Sequence, residues 1–132
     1  MTVTAKTVTT PQAKALIAPL KSADTTPIAE ATVFRALVQG GWAPAEIAPL
    51  WGKGTQQVVG RLDLFDLAES GLKALAAGTL PVGLAWYIAK VSPESQALLL
   101  GGWERGNFTG ARHAEAYARS VRAAEEQRTQ TA

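Results

Sequence analysis

The chain has 132 residues, of which 47% are hydrophobic, and its formal net charge is +2. This length and apolar content fit one globular domain with a sizeable core and exclude a disordered chain. The sequence contains no cysteine and one histidine, which excludes disulfides and thiolate metal sites, and we expect no metal site of any kind. No apolar run approaches the length of a membrane span and the first residues lack a secretory signal, so we expect a cytoplasmic protein without a membrane segment.

The first 26 residues are rich in Thr, Ala and Lys and contain two prolines. Residues 12–20 could form two helical turns, which Pro19 would end. The composition is more typical of a segment that is ordered only by contact with DNA or a partner chain. We therefore predict a flexible N-terminal arm over residues 1–26.

A helix is predicted from Pro27 to about Gln39, because Thr26 is a favoured N-cap residue and Pro27 fits the first helical turn. Two glycines at positions 40 and 41 end it. Trp42 follows this stop, and we expect its side chain to pack back on the helix.

The stretch over residues 41–67 predicts two helices joined by a tight turn. Pro44 fits the first turn of one helix, and Ala48 is small enough for a close helix crossing. Gly52, four positions later, can adopt a left-handed turn conformation, and Val58, six positions further, is an apolar anchor. This spacing is typical of a helix-turn-helix that binds DNA, although an ordinary αα-hairpin obeys the same physics.

The apolar side chains of this stretch recur at helical spacing. They are Ile47, Leu50 and Trp51 in the first helix and Val58, Val59, Leu62 and Phe65 in the second. Thr55 is positioned to cap the second helix. Gln56, Gln57 and Arg61 remain for its outer face.

Four further helices are predicted, separated by glycine or proline. They cover residues 69–77, 82–91, 93–101 and 109–122, with Thr109 as the cap of the last one. The pair Gly101-Gly102 is a predicted helix stop, and the polar tail over residues 123–132 is predicted to fray. The fold class is therefore all-α: a compact multi-helix domain over residues 27–122 that contains a helix-turn-helix.

Residues 28–122 resemble the central DNA-binding domain of the ParB/KorB family of partition proteins. The features that carry this resemblance are the Gly52-Lys53 pair, the Ala-Gly-Thr-Leu turn at residues 77–80 and the order of the helices. The chain departs from the family pattern at Gly54, where Ser or Thr is usual. The family's Arg-rich nucleotide-binding boxes are missing, so the resemblance implies neither CTP binding nor a C-terminal dimerisation domain.

The second helix supplies the candidate DNA contacts. Gln56 and Gln57 can bond adenine, and Arg61 can bond guanine, each through two hydrogen bonds to a base edge. Lys53 and Thr55 stand at the start of the helix, where its positive dipole end favours phosphate.

Other elements could add contacts to the DNA backbone. Arg35 and Lys73, on neighbouring helices, are the candidates for such contacts. In KorB-like proteins a later helix also contacts the operator, and the matching segment here holds Trp86, Tyr87 and Lys90.

Two functions from different classes remain open. The first is a sequence-specific double-stranded DNA-binding protein, such as a plasmid or mobile-element repressor or a partition accessory, acting as a homodimer or on a partner protein. The second is a helical protein-interaction module, because residues 31–110 carry six basic and six acidic side chains and are neutral. We expect no enzyme activity, since His113 has no nucleophile or acid pair around it. We also expect no cofactor and no bound nucleotide.

Overall fold

The structure is a computed structural model that describes residues 6–131 of the chain. These residues form eight α-helices and two short 3-10 turns and contain no strand, so the all-α prediction is confirmed. The α-helices are α1 (Thr10–Ile17), α2 (Pro27–Gln39), α3 (Pro44–Trp51), α4 (Thr55–Asp63), α5 (Glu69–Ala76), α6 (Val82–Ala89), α7 (Pro93–Glu104) and α8 (Ala111–Thr131). None of the helices in the described residues is long and apolar enough to cross a membrane.

The chain divides into two compact units, where the sequence predicts one domain. The first unit ends at Leu62 and the second begins at Asp63. The helix-turn-helix stretch lies in the first unit, together with α1 and α2.

The N-terminal segment is part of the first unit, which corrects the prediction of a flexible arm. Helix α1 begins with a capping box at Thr9, and Ala13, Ile17 and Leu20 are buried. Ala13 and Ile17 are four residues apart and lie on one side of α1, and Leu20 of the following 3-10 turn joins the same core cluster. The 3-10 turn Ala18–Lys21 carries the chain past Pro19. Residues 1–5 of the predicted arm lie outside the described residues.

The core of the first unit joins α1, α2, α3 and α4. Its members include Phe34, Leu37, Ile47, Trp51 and Val58, all at most 5% exposed. The Phe34 and Trp51 rings meet edge to face, with centroids 4.8 Å apart. Trp42 joins the same cluster, as predicted, and its indole N–H donates to the Val8 carbonyl at 2.8 Å. This bond ties the segment before α1 to the loop between α2 and α3.

The second unit is built from α5 to α8. The buried amide of Gln96 on α7 accepts from the Ala68 N–H at 2.7 Å and donates to the carbonyls of Asp66 and Val91. Buried polar groups need such partners, because an unpaired one loses its bonds to water. Gln96 therefore satisfies backbone groups that flank α5 and α6.

Helix α7 does not stop at the glycine pair, which corrects the predicted end at residue 101. It runs through Gly101 and Gly102 to Glu104, and the chain turns at Gly106, whose φ is +71°. A Cβ on Gly102 would lie 3.1 Å from the Phe108 ring, and one on Gly101 would lie 3.0 Å from the Arg105 guanidinium. Gly101 and Gly102 therefore allow close packing inside a helix. The pair Gly40-Gly41, in contrast, ends α2 as predicted.

Helix α8 is longer than predicted at its C-terminal end. It continues through the segment expected to fray, as far as Thr131. Its second half holds the ion pair Arg122–Glu126 and the contacts of Glu125 with α7. Thr109 is not its cap: the helix begins at Ala111, after Gly110.

Candidate nucleic-acid interface

The helix-turn-helix forms at the predicted residues. Helix α3 ends at Trp51, and Gly52 follows it with φ +86°, a left-handed conformation that favours glycine. Ala48 is 5% exposed and Val58 is fully buried in the same cluster. The small residue, the turn glycine and the apolar anchor therefore all occupy the positions that the spacing predicts.

The first turn of α4 is capped by a glutamine. The Gln57 side-chain oxygen accepts from the Gly54 N–H at 2.8 Å, and the Gly54 carbonyl accepts from the N–H groups of Gln57 and Val58. Gly54 thus occupies the cap position and Thr55 is the first helical residue, which corrects the prediction that Thr55 is the cap. Half of the capping-box pattern, a Gln three residues after the cap, was present in the sequence and could have indicated this.

The residues at the beginning of α4 are open to solvent. Lys53, Thr55 and Gln56 are exposed, and the Lys53 ammonium lies 4.6 Å from the centre of the Trp51 ring. Lys53 stands two positions before the first residue of α4, so its charge lies near the start of that helix. The N-terminus of a helix favours anions, so this surface is suited to phosphate.

Arg61 is not free on the outer face of α4. Its Nε donates to the Glu30 carboxylate on α2 at 2.8 Å, and the two side chains are 25% and 5% exposed. From the sequence, the one role predicted for Glu30 is a favourable interaction with the helix dipole in the first turn of α2. The ion pair escaped sequence analysis because its partners are 31 residues apart.

The other predicted contacts are divided between the two units. Arg35 is exposed on α2 in the first unit. Lys73 lies on α5 in the second unit, where it pairs with Glu69 one turn away at 3.3 Å. Also in the second unit, the Asp63 carboxylate accepts from Lys90 at 2.8 Å and from the Trp86 indole at 3.3 Å.

The positive charge is concentrated in the first unit. Up to Leu62 the chain carries six Lys or Arg against three Asp or Glu, whereas from Asp63 onward it carries seven against eight. The unit that holds the helix-turn-helix is therefore the basic one. The described part of the chain holds no group of three or more His, Cys, Asp or Glu side chains that could bind a metal ion.

Comparison with known proteins agrees with this geometry. No protein-family model matches the chain. The chain is 32% identical over 82 residues to the chromosome-partitioning protein Spo0J of Thermus thermophilus, a match that covers 62% of the chain and 30% of that relative. The chain therefore spans less than a third of the length of this relative.

Two solved structures are similar in fold. One is the DNA-binding domain of the chromosome-partitioning protein ParB in complex with the centromeric parS site, with a TM-score of 0.71 and 24% identity over 86% of this chain and 79% of that one. The other is C-terminally truncated ParB from Caulobacter crescentus with parS, with a TM-score of 0.71 and 25% identity over 83% of this chain and 57% of that one. The resemblance to the ParB DNA-binding domain that the sequence predicts is confirmed.

Proposed function

We propose that this chain binds double-stranded DNA through α3, the Gly52 turn and α4. The observation that carries the proposal is the solvent-exposed start of α4, the second helix of the helix-turn-helix, which follows the left-handed turn at Gly52. The motif belongs to the basic unit of the chain. Both similar ParB structures contain the parS site, which supports the same class of ligand for this chain.

The exposed residues differ in the part of the DNA that each contacts. Gln56 has no capping role and can bond an adenine edge, whereas the Gln57 amide is already bonded to Gly54. Lys53 and Thr55 contact phosphate at the N-terminus of α4, and they position the helix without reading sequence. Arg35 adds a contact with the DNA backbone from α2, and Lys73 adds one from α5.

The biological setting is a partition or repression system of a plasmid or another mobile element. A relative that is a chromosome-partitioning protein supports the partition role. A single helix-turn-helix gains affinity by pairing, so we propose that the chain acts as a homodimer or on a partner protein. Two half-sites would then lie about 34–36 Å apart along the duplex.

Selection of binding duplexes from a random pool tests the proposal. The wild-type protein should enrich a defined sequence, and its affinity should fall as salt rises, with a slope of about −0.9 for each phosphate contact. Gln56→Ala should relax the preference at one adenine, whereas Gln39→Ala, an exposed glutamine at the end of α2, should leave it unchanged. Failure to enrich any duplex at low salt would favour the protein-interaction module instead.

A further inference from the structure

We propose that Glu30 is a positioning residue that holds the Arg61 guanidinium in the orientation in which it reads one base pair. The inference rests on the proposed function, because it assigns a role in DNA recognition to a residue that makes no DNA contact itself. It starts from the ion pair between α2 and α4, where the Arg61 Nε and a Glu30 oxygen are 2.8 Å apart.

Glu30 is the charged residue most deeply buried in the described part of the chain, with 3% of its surface exposed. A buried carboxylate is unfavourable without a partner, and Arg61 supplies both the opposite charge and a hydrogen bond. Because Glu30 is fixed within α2 and has little room to move, it is a rigid acceptor. Arg61 therefore has one preferred orientation.

The pair leaves most of the guanidinium available. Arginine presents five N–H donors in one plane, and Glu30 takes the one on Nε. Two hydrogen bonds to guanine need a planar donor edge, which the terminal nitrogens of Arg61 can supply. A carboxylate on Nε fixes the plane of that edge before DNA arrives, so less side-chain freedom is lost on binding.

A purely structural pair would act differently. If Glu30 and Arg61 only joined α2 to α4, weakening the pair would lower stability and reduce binding to all duplexes alike. If Glu30 orients Arg61, weakening the pair changes the preference at one base pair. The sequence preference, measured one base pair at a time, separates the two roles.

The variant Glu30→Gln keeps an acceptor of the same shape and removes the charge. On the duplex enriched by the wild type, we expect it to lose about five- to twenty-fold of the discrimination at one base pair. Arg61→Ala should lose discrimination at that same base pair, and the double variant should lose no more than Arg61→Ala alone. Glu30→Asp, which keeps the charge but withdraws the carboxylate by one methylene from the Arg61 Nε, should show the same kind of loss and serves if Glu30→Gln does not fold.

The buried-core variant Leu37→Val is the matched control, because it lowers stability from the same helix without touching the pair. It should keep the wild-type preference at every base pair. Wild-type preference in Glu30→Gln or in Glu30→Asp, or an equal loss at all base pairs, would overturn the positioning role while the proposed function stands. No enriched duplex for the wild type would overturn both.

Discussion

Arg61 is the residue whose environment most changes the interpretation of the helix-turn-helix. From the sequence it is an outer-face side chain, so Arg61→Ala would be a clean test of base recognition. In the structure it neutralises the buried Glu30, and its removal leaves a buried charge without a partner. Any binding measurement on an Arg61 variant therefore needs a stability measurement beside it.

We expect Arg61→Ala to lower the free energy of unfolding by about 2–3 kcal/mol, because it leaves a buried carboxylate unpaired. Urea denaturation followed by circular dichroism measures this change. Combining Arg61→Ala with Glu30→Gln should recover part of the lost stability, since a neutral amide costs less to bury than a carboxylate. If Arg61→Ala is as stable as the wild type, the ion pair does not hold α4 against α2.

Lys53 is the opposite case, an exposed cation whose ammonium lies over the Trp51 ring. Lys53→Ala should weaken binding to every duplex by a similar factor and reduce the salt slope by about 1, as the loss of one phosphate contact requires. Fluorescence anisotropy over a salt series gives both quantities. Lys53→Arg, which keeps the charge, should bind nearly as the wild type does, and a base-dependent effect of Lys53→Ala would argue against a phosphate contact.

At the scale of elements, Ala48 is the small residue that α3 contributes to the buried cluster it shares with Val58 of α4. Ala48→Leu should lower the free energy of unfolding by about 1–3 kcal/mol, because Ala48 is 5% exposed and the added atoms overpack the core. Thermal unfolding measures the change. Ala45→Leu, at an exposed position of the same helix, is the control and should leave the melting temperature nearly unchanged. A tolerated leucine at position 48 would mean that the helices do not cross closely there.

The N-terminus of α7 is held by a carboxylate from α8. The Glu125 oxygens accept from the hydroxyls of Ser92 and Ser95 at 2.6 Å and from the Ser92 N–H at 2.9 Å. The Ser92 hydroxyl, followed by that of Ser95, lowers the pKa of Glu125 below its ordinary value of 4.5. The ionised form is therefore the one that the folded state favours.

This lowered pKa predicts a pH dependence of stability. Glu125 contributes its full stability above the unfolded pKa of about 4.5 and loses it as the pH falls through the lower folded value. At pH 7, Glu125→Gln should be less stable than the wild type by about 1 kcal/mol, and the difference should be smaller at pH 3, below the unfolded pKa. Thermal unfolding at both pH values measures it. Glu126→Gln, at the neighbouring exposed position, should show a smaller difference at pH 7, and an equal one would contradict the assigned role.

At the scale of the whole molecule, the absence of nucleotide binding by this chain remains a prediction. Phosphate cradles need a glycine-rich loop whose free N–H groups point at the ligand from a helix N-terminus. The loop that fits this description best is Gly52 to Gly54, before α4, and there the Gly54 N–H is already bonded to Gln57. Titration calorimetry with CTP, ATP and GTP should show no heat of binding, and a micromolar affinity for any of them would overturn the prediction.

The sequence by itself determined the helices and the turn of the helix-turn-helix. Short-range rules act within a few residues, so Thr26, Pro27 and Pro44 marked helix starts and Gly52 marked the turn, and the structure agrees at each. The resemblance to the ParB DNA-binding domain followed from the same local features. The exposed position of Gln56 also followed, because helical periodicity shows which face of α4 is polar.

The tertiary structure decided everything that depends on contacts distant in the chain. Residues of the predicted arm form α1, because Ala13 and Ile17 are buried in the core of the first unit. Helix α7 continues through Gly102, and the Phe108 ring packs in the space that a Cβ at this position would need. The tertiary structure also joined Arg61 to Glu30, since a buried charge requires a partner whatever its distance in sequence. Local rules assign each residue its preferred conformation, but burial is shared among elements and exists only once the chain has folded.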